Sequence, residues 1–505
     1  MHLMKDFFDK IFSVIMTLSI RDLALLLISA IAIASGSTIL GLILLNYIVL
    51  RILQERNYLE KWNATKVVAV ILMLRTNKGQ KLLEMVSRPR KFWRIFGEIS
   101  IWIAMITLFF TTLLVISLFT QLFSSSRESI SFAASEVLII PGYTTGIPFF
   151  WPLIALIVAL VVHEYGHGIL MRAHGMRVKS FGLLIFSLIP IGAFAEPEYR
   201  ELIKAPKRER MRIYAAGPAV NLVFATLLVI ILAVGMSGVN SSIEGAYSPA
   251  IVKDGPADES GLEPYDIVIA GNNQSISSSE DLRNILNSSK AGDILVLTIL
   301  KYNGTNGIEW EEEEIIQVTL GDYFEYLRSQ NISAEELERN GIFSGQAFLG
   351  VSSDSFGPAI RNTDYGKNNL MGPFYPGLTT EQRIVSALIY PLDLVVKPFE
   401  KGGMMDQGEA NMLDFGILEF FLIEGIFWFL WINFALGFAN LIPVIPFDGG
   451  HIMRDSINST INWITEKTRL LHPQKAEMLA TKISNIFSLF FFLAFLIPIV
   501  FGLLN

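Results

Sequence analysis

Six long apolar segments limit the folds that this sequence can adopt. A helix needs roughly 20 apolar residues to cross the hydrocarbon core of a bilayer, and suitable segments lie at about 22–50, 98–124, 151–172, 211–236, 416–446 and 483–504. The composition agrees, because 52% of the 505 residues are hydrophobic, 17% are charged and the mean hydropathy is +0.47. The sequence therefore predicts a polytopic α-helical membrane protein with about six transmembrane helices.

The first apolar segment is too long for a simple signal peptide and has no evident cleavage site. We expect it to remain in the membrane as one span, with a kink allowed at Ser35, Gly36 and Ser37. The chain contains no cysteine, so a metal site must use His, Asp or Glu. A net charge of −7 gives no indication of a nucleic-acid partner.

Lysine and arginine predict the orientation of the spans. The loop 51–97 contains eleven of them and three glutamates, so the positive-inside bias places it in the cytoplasm. Alternation then puts the amino terminus outside, 173–210 inside and the acidic segment 237–413 outside. We expect a multi-pass protein of the cell membrane.

A cluster of polar side chains interrupts the third apolar segment. His163 and His167 are four residues apart, which places both imidazoles on one face of a helix, and Glu164 lies beside them. This HExxH pattern holds zinc through its histidines and supplies a glutamate as general base. Two imidazoles and a carboxylate in hydrocarbon cost several kcal/mol unless they are paired, which a divalent cation would do.

A catalytic zinc site uses three protein ligands and a water, so one ligand is missing from this pattern. The best candidate is Asp448 in NLIPVIPFDGGH, where Pro443 and Pro446 break a helix end before Gly449. His163 lies about 18 Å along its helix from the outer end, and Asp448 lies near the inner end of its span. Both are therefore expected in the cytoplasmic half of the bilayer.

These motifs resemble the site-2 protease family of intramembrane zinc metalloproteases. The resemblance is carried by HEYGH at 163–167, GPAVN at 217–221 and NxxPxxxxDG at 440–449, on three successive spans. It covers roughly 150–236 and 416–455.

The resemblance implies that His163, His167 and Asp448 bind one Zn²⁺ per chain and that Glu164 is the general base. Asn221 and Asn440 match asparagines that lie near the active site in the family, where they either contact substrate or pack between helices. The implied activity is hydrolysis of peptide bonds within or near transmembrane segments. The implied partners are transmembrane protein substrates, trimmed beforehand by another protease in some cases, and the lipid bilayer.

Residues 180–196 are too short to span and are interrupted by Pro190 and Gly192. They resemble the membrane re-entrant β-hairpin of the family. Its edge would pair with an unwound substrate strand; alternatively, the segment is an interfacial loop that shields the site.

The outside segment contains features similar to those of a PDZ domain. Within about 243–322, Pro-Ala precedes Ser-Gly-Leu, and Asp266 precedes an Ile-Val-Ile strand, although Tyr265 replaces the more usual glycine. FLGV at 348–351 would complete the fold. Such a domain either adds a peptide as a strand or acts as a steric cap. Residues 384–399 are expected to form an interfacial or capping helix, because Pro391 and Asp393 interrupt their apolar run.

The predicted organisation has an extracytoplasmic α+β PDZ-like domain between the fourth and fifth spans. The expected regions are the amino-terminal helices and basic loop (1–146), the first part of the catalytic core (147–236), the PDZ-like domain (237–355), a cap or linker (356–413), the second part of the core (414–455) and a cytoplasmic segment with the last helix (456–505).

Two other histidines lie near these motifs. His174 follows the HExxH helix in a basic turn and is expected in solvent. His451 follows Asp448 by three residues, and the sequence leaves open whether it hydrogen-bonds to the metal ligands or has no role at the metal site.

Two other classes of function are compatible with membrane spans and a PDZ-like domain. The main alternative is a non-catalytic adaptor or sensor with structural zinc, but such zinc prefers four protein ligands and we find three. A transporter would need internal repeats, which the sequence does not show.

Overall fold

The computed structural model describes ten stretches of the chain: residues 19–35, 37–67, 70–124, 141–142, 144, 146–186, 189–302, 313–352, 358–468 and 473–504. They divide into two compact units. The first takes the described parts of Met1–Ser131, Leu153–Val223 and Asn433–Asn505, and the second takes those of Phe132–Pro152 and Phe224–Ile432.

Helices make up most of the described chain. In chain order they are α1 Ile20–Ala34, α2 Thr38–Glu55, α3 Tyr58–Lys61, α4 Gln80–Val86, α5 Arg90–Ser124, α6 Phe150–Ala173, α7 Tyr199–Lys204, α8 Lys207–Ser237, α9 Pro256–Glu259, α10 Ser279–Ser288, α11 Tyr323–Ser329, α12 Ala334–Arg339, α13 Tyr365–Met371, α14 Thr380–Lys401, α15 Gln407–Asn411, α16 Ile417–Ala439, α17 Asp448–Thr468 and α18 Pro473–Leu504. A 3₁₀ turn occupies Gly372–Phe374.

Five of the described helices are long and apolar enough to cross a membrane. They are Arg90–Ser117 within α5, Phe150–Ala173, Lys207–Ser237, Ile417–Ala439 and Glu477–Val500 within α18. These correspond to five of the six spans expected from the sequence, and the protein is a polytopic membrane protein.

The prediction of a single span at 22–50 is wrong. The chain breaks between Ser35 and Ser37, and α1 and α2 pack against each other as an antiparallel pair. Near the break the Ser29 Oγ donates to the Gly41 carbonyl at 2.7 Å, and at the open end Arg51 lies 3.2 Å from the buried Asp22. Ser19 therefore lies at the same end of the pair as Arg56, whereas a single crossing would separate them. Gly36 is outside the described residues.

Fourteen described strands complete the secondary structure. They are β1 Ala64–Val67, β2 Ile71–Thr76, β3 Val178–Phe186, β4 Ile189–Pro197, β5 Ala246–Tyr247, β6 Ala250–Ile251, β7 Ile267–Gly271, β8 Gln274–Ser275, β9 Ile294–Leu300, β10 Glu313–Thr319, β11 Gly321–Asp322, β12 Ala347–Phe348, β13 Val351–Ser352 and β14 Arg361–Asn362.

A four-stranded antiparallel sheet lies in the first unit, in the order β1-β2-β3-β4. The hairpin expected at 180–196 is present as β3 and β4. Its partner strand β2 comes from the basic loop and was not anticipated. Gly182 allows the strands to approach, because a Cβ there would lie 2.5 Å from the Leu74 carbonyl oxygen and 2.1 Å from the Phe194 ring. With β2 on one side of β3, β4 is the edge strand of the hairpin.

The second unit contains an antiparallel sheet in the order β10-β9-β7-β5-β14, with β8 paired to β7. Its core includes Leu282 and Ile285 of α10, which pack on the buried Leu297 and Val268. Because β14 pairs with β5, this sheet continues past residue 355.

A buried ion pair connects this sheet to the segment that follows it. Arg361 of β14 donates to Glu409 of α15 at 2.9 Å, and the Tyr247 hydroxyl donates to the same carboxylate oxygen at 3.0 Å. Arg361 and Glu409 are both almost completely buried. Removing one of them would leave the other as an uncompensated buried charge, so sheet and segment are expected to fold together.

Candidate active site

The two histidines of the HExxH pattern lie on the buried face of α6, and their Nε2 atoms converge. Their Nε2 atoms are 3.2 Å apart. The Nδ1 of His167 lies 2.7 Å from the Ile213 carbonyl of α8 and donates its hydrogen there, which leaves Nε2 as the free lone pair. The ring is therefore held in the tautomer that a metal requires.

Asp448, which the sequence predicts as the third ligand, lies against both histidines. Its Oδ2 lies 3.2 Å from the Nε2 of His163 and 3.3 Å from that of His167. Bonds of about 2.0–2.1 Å at tetrahedral angles would place ligand atoms about 3.3–3.4 Å apart. The three donor atoms therefore have the spacing of three corners of a zinc tetrahedron, so the residues fit the ion.

The position of Asp448 results from a tight connection between α16 and α17. A Cβ at Gly449 would lie 2.5 Å from the Leu441 carbonyl carbon, and one at Gly450 would lie 2.5 Å from the Ile445 nitrogen. Only glycine allows the first turn of α17 to pack this closely on the preceding loop. Asp448 is the first residue of α17, where the helix dipole favours a carboxylate.

A bidentate ion pair holds α17 against α8 two turns further along. The Arg210 guanidinium donates to both carboxylate oxygens of Asp455, at 2.9 and 3.0 Å, and Asp455 is 1% exposed. The His451 ring stacks on Tyr214, with centroids 4.7 Å apart. The His451 ring therefore packs between α17 and α8. Asp448 and Asp455 are seven residues apart and so lie on the same face of α17, the face that packs against α8.

Glu164 lies beside the cluster and makes a different contact. A ligand oxygen of Glu164 lies within 4.8 Å of the histidine nitrogens, and its Oε2 accepts the Ala195 N–H of β4 at 2.6 Å. The Oδ2 of Asp448 thus contacts both imidazoles, whereas the Oε2 of Glu164 is held by a main-chain N–H. Because the Ala195 N–H points to Glu164, it points away from β3, and the alternation of a strand gives the Ala193 N–H the same direction.

Gly217 is a site residue that the motif comparison did not single out. A Cβ there would lie 2.4 Å from the Nε2 of His167 and 2.8 Å from that of His163, closer than such atoms can approach. Gly166 of α6 faces the same part of α8, where a Cβ would lie 2.9 Å from the Ala216 carbonyl oxygen. Glycine on both helices lets α8 pass directly behind the histidines. The GPAVN motif contained this signal.

The two asparagines occupy different environments. Asn221 is fully buried in α8, and its Nδ2 donates to the Ala159 carbonyl of α6 at 3.3 Å. Its Oδ1 has no hydrogen-bond partner within the described chain. Asn440 directly follows α16; its Nδ2 donates to the Leu436 carbonyl of that helix, and its main-chain carbonyl accepts the Gly449 N–H at 2.8 Å. These bonds support packing and turn roles and leave the Oδ1 of Asn221 free.

The expectation that His174 lies in solvent is wrong. Its side chain is 1% exposed, and its Nδ1 lies 3.6 Å from Glu209 of α8. The turn is covered because Arg94 of α5 donates to the Ala173 carbonyl, which brings α5 against the end of α6. Burial lowers the pKa of His174 below its ordinary value, against the opposing effect of Glu209.

Comparison of the sequence with known proteins identifies the family to which the chain is similar. Residues 151–491 match the model of peptidase family M50. An uncharacterized protein of Methanocaldococcus jannaschii is 33% identical over 211 residues, which cover 42% of this chain and 54% of that protein. The chain thus spans about half the length of that relative.

Two relatives with a named activity are more distant. The zinc metalloprotease Rip1 of Mycobacterium tuberculosis is 23% identical over 364 residues, which cover 61% of this chain and 85% of that protein. A putative zinc metalloprotease of Clostridium acetobutylicum is 27% identical over 179 residues, 30% of this chain and 50% of that protein.

Proposed function

The chain belongs to peptidase family M50, and on that premise we propose that it is a zinc-dependent endopeptidase that cleaves transmembrane segments of other membrane proteins. The match confirms the resemblance to the site-2 proteases. The observation that carries the proposal is the convergence of His163, His167 and Asp448 at mutual distances of 3.2–3.3 Å, with Glu164 beside them.

Zinc, when bound, supplies Lewis acidity that polarises a carbonyl and makes water acidic enough to react near neutral pH. His163, His167 and Asp448 would hold it. Glu164 takes a proton from the attacking water and returns it to the leaving amine, which is the role of a general base that then acts as an acid. Both histidines are buried, so little bulk water competes for these contacts.

The substrate is proposed to lie as an extended strand along the free edge of β4. A helical substrate hides its carbonyls in its own hydrogen bonds, so it must unwind before attack. The N–H groups of Ala193 and Ala195 face the open edge, and the second of these already contacts Glu164. A strand paired there would pass next to the general base. The edge of β3 is not available, since β2 occupies it.

The basic loop that contributes β1 and β2 supports a cytoplasmic position for this end of the spans. On that orientation the segment 237–413 is extracytoplasmic. Its sheet of residues 246–362 is proposed to be a PDZ-like domain that admits substrates already trimmed by another protease and excludes those with bulky domains. Support comes from the position of the segment between α8, which carries Gly217, and α16, which leads to Asp448.

The alternative of an adaptor with structural zinc is less well supported. A structural site uses four protein ligands, whereas Glu164 is held 2.6 Å from the Ala195 N–H as a hydrogen-bond acceptor.

The deciding experiment incubates the purified full-length protein with a single-span substrate, with and without a zinc chelator. Chelator-sensitive cleavage that is restored by added zinc supports the peptidase. Intact substrate at full zinc occupancy, for a panel of spans that includes helix-destabilised ones, would favour the adaptor.

A further inference from the structure

Helix α4 presents two different faces. Its Leu83 is 1% exposed and packs in a cluster with Ile169 and Leu170 of the HExxH helix. On the opposite side, Leu82 and Met85 are 48% and 55% exposed. A helix of seven residues that leaves two large apolar side chains uncovered is not explained by packing within the described chain.

Helix α7 repeats this arrangement. Its Leu202 is buried in the same cluster, whereas Tyr199 and Ile203, one turn apart, are 67% and 52% exposed. Exposed cations accompany the apolar side chains on both helices: Lys81 and Arg88 at α4, and Arg200 and Lys204 at α7.

Both helices lie at one end of the membrane spans. Three residues separate α4 from α5, and two separate α7 from α8. The starts of α5 and α8 are side by side, because Arg208 near the beginning of α8 donates to Glu98 of α5 at 2.8 Å. The two helices, which we call the collar, therefore lie at the amino-terminal ends of α5 and α8.

Helices α4 and α7 themselves contain three cations and two glutamates, and the excess of positive charge lies in the residues that flank α4. Residues 78–94 contain six lysines and arginines and one glutamate, Glu84. Glu84 is already paired with Arg172. Lys81, Arg88, Arg90 and Lys91 are exposed and form no ion pair within the described chain. Exposed apolar side chains next to unpaired cations beside a span are the combination that binds an anionic lipid surface.

We propose that the collar lies in the leaflet at the amino-terminal ends of α5 and α8 and binds anionic phospholipid headgroups there. Leu82, Met85, Tyr199 and Ile203 enter the interface, and Lys81, Arg88, Arg200 and Lys204 contact lipid phosphates. The exposed Phe92 and Ile95 of α5 continue the apolar surface towards the hydrocarbon. This continuity favours lipid over an acidic soluble partner, which would leave these side chains in water.

The absence of cysteine permits a direct test by single-site labelling. Met85→Cys and Ile203→Cys carry an environment-sensitive fluorophore in the full-length protein, placed in nanodiscs with nitroxide-labelled lipids. The control probe is Glu335→Cys, an exposed position in the acidic helix α12. We expect strong quenching at Met85 and Ile203, weak quenching at Glu335, and more collar quenching with phosphatidylglycerol than with phosphatidylcholine alone.

Charge removal provides the second arm. Lys81→Gln with Arg88→Gln should lower the ratio of interface-bound to free α4 in phosphatidylglycerol discs by about fivefold per charge. The matched control, Arg328→Gln with Arg339→Gln, removes the same charge from exposed positions of α11 and α12 and should leave quenching at Met85 unchanged.

The proposal is overturned if both collar probes are quenched no more than the Glu335 probe, as when a second copy or a soluble protein covers the collar. It is also overturned if quenching does not depend on anionic lipid. If the double variant does not fold, judged by helicity and zinc content, the lipid dependence of the parent protein with its single probes decides. Proteolysis is not measured, so the outcome is independent of the proposed peptidase activity.

Discussion

Replacing Gly217 by alanine should remove zinc from the protein without unfolding it. The new Cβ would lie 2.4 Å from the Nε2 of His167, where about 3.0 Å is the closest such atoms approach. The nearest ligand atom must therefore move by at least 0.6 Å, the difference between these distances. Zinc sites tolerate deviations of about 0.2 Å in ligand distance, so the displacement is about three times what the site accepts.

The expected loss of zinc affinity is about 10–100-fold, comparable to the loss of a group that orients a ligand. The substitution should stabilise the helix itself, because alanine is favoured over glycine in a helix interior by about 1 kcal/mol. Helix α8 should therefore form at least as readily in the variant. Zinc loss with retained helicity separates the steric effect at the site from general destabilisation.

The assay measures zinc per chain by mass spectrometry after dialysis against graded chelator concentrations, with circular dichroism as the folding control. The matched variant is Gly235→Ala in the same helix, whose Cβ would lie 3.7 Å from the nearest side-chain atom, an ordinary contact. It should retain zinc and cleavage. Parent-like zinc affinity and parent-like cleavage in Gly217→Ala would refute the close approach of α8 to the two imidazoles.

The remaining predictions concern the ligand, the base, the substrate strand and the segment outside the membrane. Asp448→Ala should remove both zinc and cleavage, whereas Glu164→Gln should remove cleavage and retain zinc; full activity in either one contradicts its assigned role. Ala193→Pro removes an open-edge donor of β4 without breaking its ladder to β3, and should slow cleavage of intact spans while zinc content stays unchanged. Ala193→Gly retains the N–H and is the control. Equal cleavage rates in the two variants would exclude the β4 edge as the place where the substrate strand pairs. A Gly/Ser linker in place of about 243–355 should keep cleavage of a trimmed substrate and permit some cleavage of an untrimmed one. The replacement also removes the Tyr247 hydroxyl from the buried Glu409, so the variant needs a folding control. If the folded variant discriminates against untrimmed substrate as strongly as the parent protein, the size filter is contradicted.

The proposed catalytic cluster could be predicted because its residues are chemically costly where they lie. His163 and His167 in an apolar helix need a partner, and the count of zinc ligands led to Asp448 across 285 residues. The structure brings these three together at ligand spacing. What the sequence did not reveal was how α8 approaches them, because that depends on the missing side chain of Gly217 and on a backbone carbonyl, that of Ile213.

The errors have a different origin. The pair α1–α2 reads as one apolar run because Ser35 and Ser37 are short interruptions that a kinked helix also tolerates. Strand β2 lies in a basic loop, and its pairing with β3 is non-local, so no periodicity within the loop predicts it. His174 has basic neighbours in sequence, and its burial arises from helices that are distant along the chain.

The pairing of β2 with β3 has a consequence for any attempt to isolate a minimal peptidase. The family match begins at residue 151, which suggests a fragment that starts there. Such a fragment would lose β1 and β2, and the backbone groups of β3 that now face β2 would become a second open edge. A substrate could then pair on either side of the hairpin, and only one side lies next to Glu164. The shortened protein would retain its zinc ligands yet capture much of its substrate in an unproductive register, and two such fragments could join edge to edge.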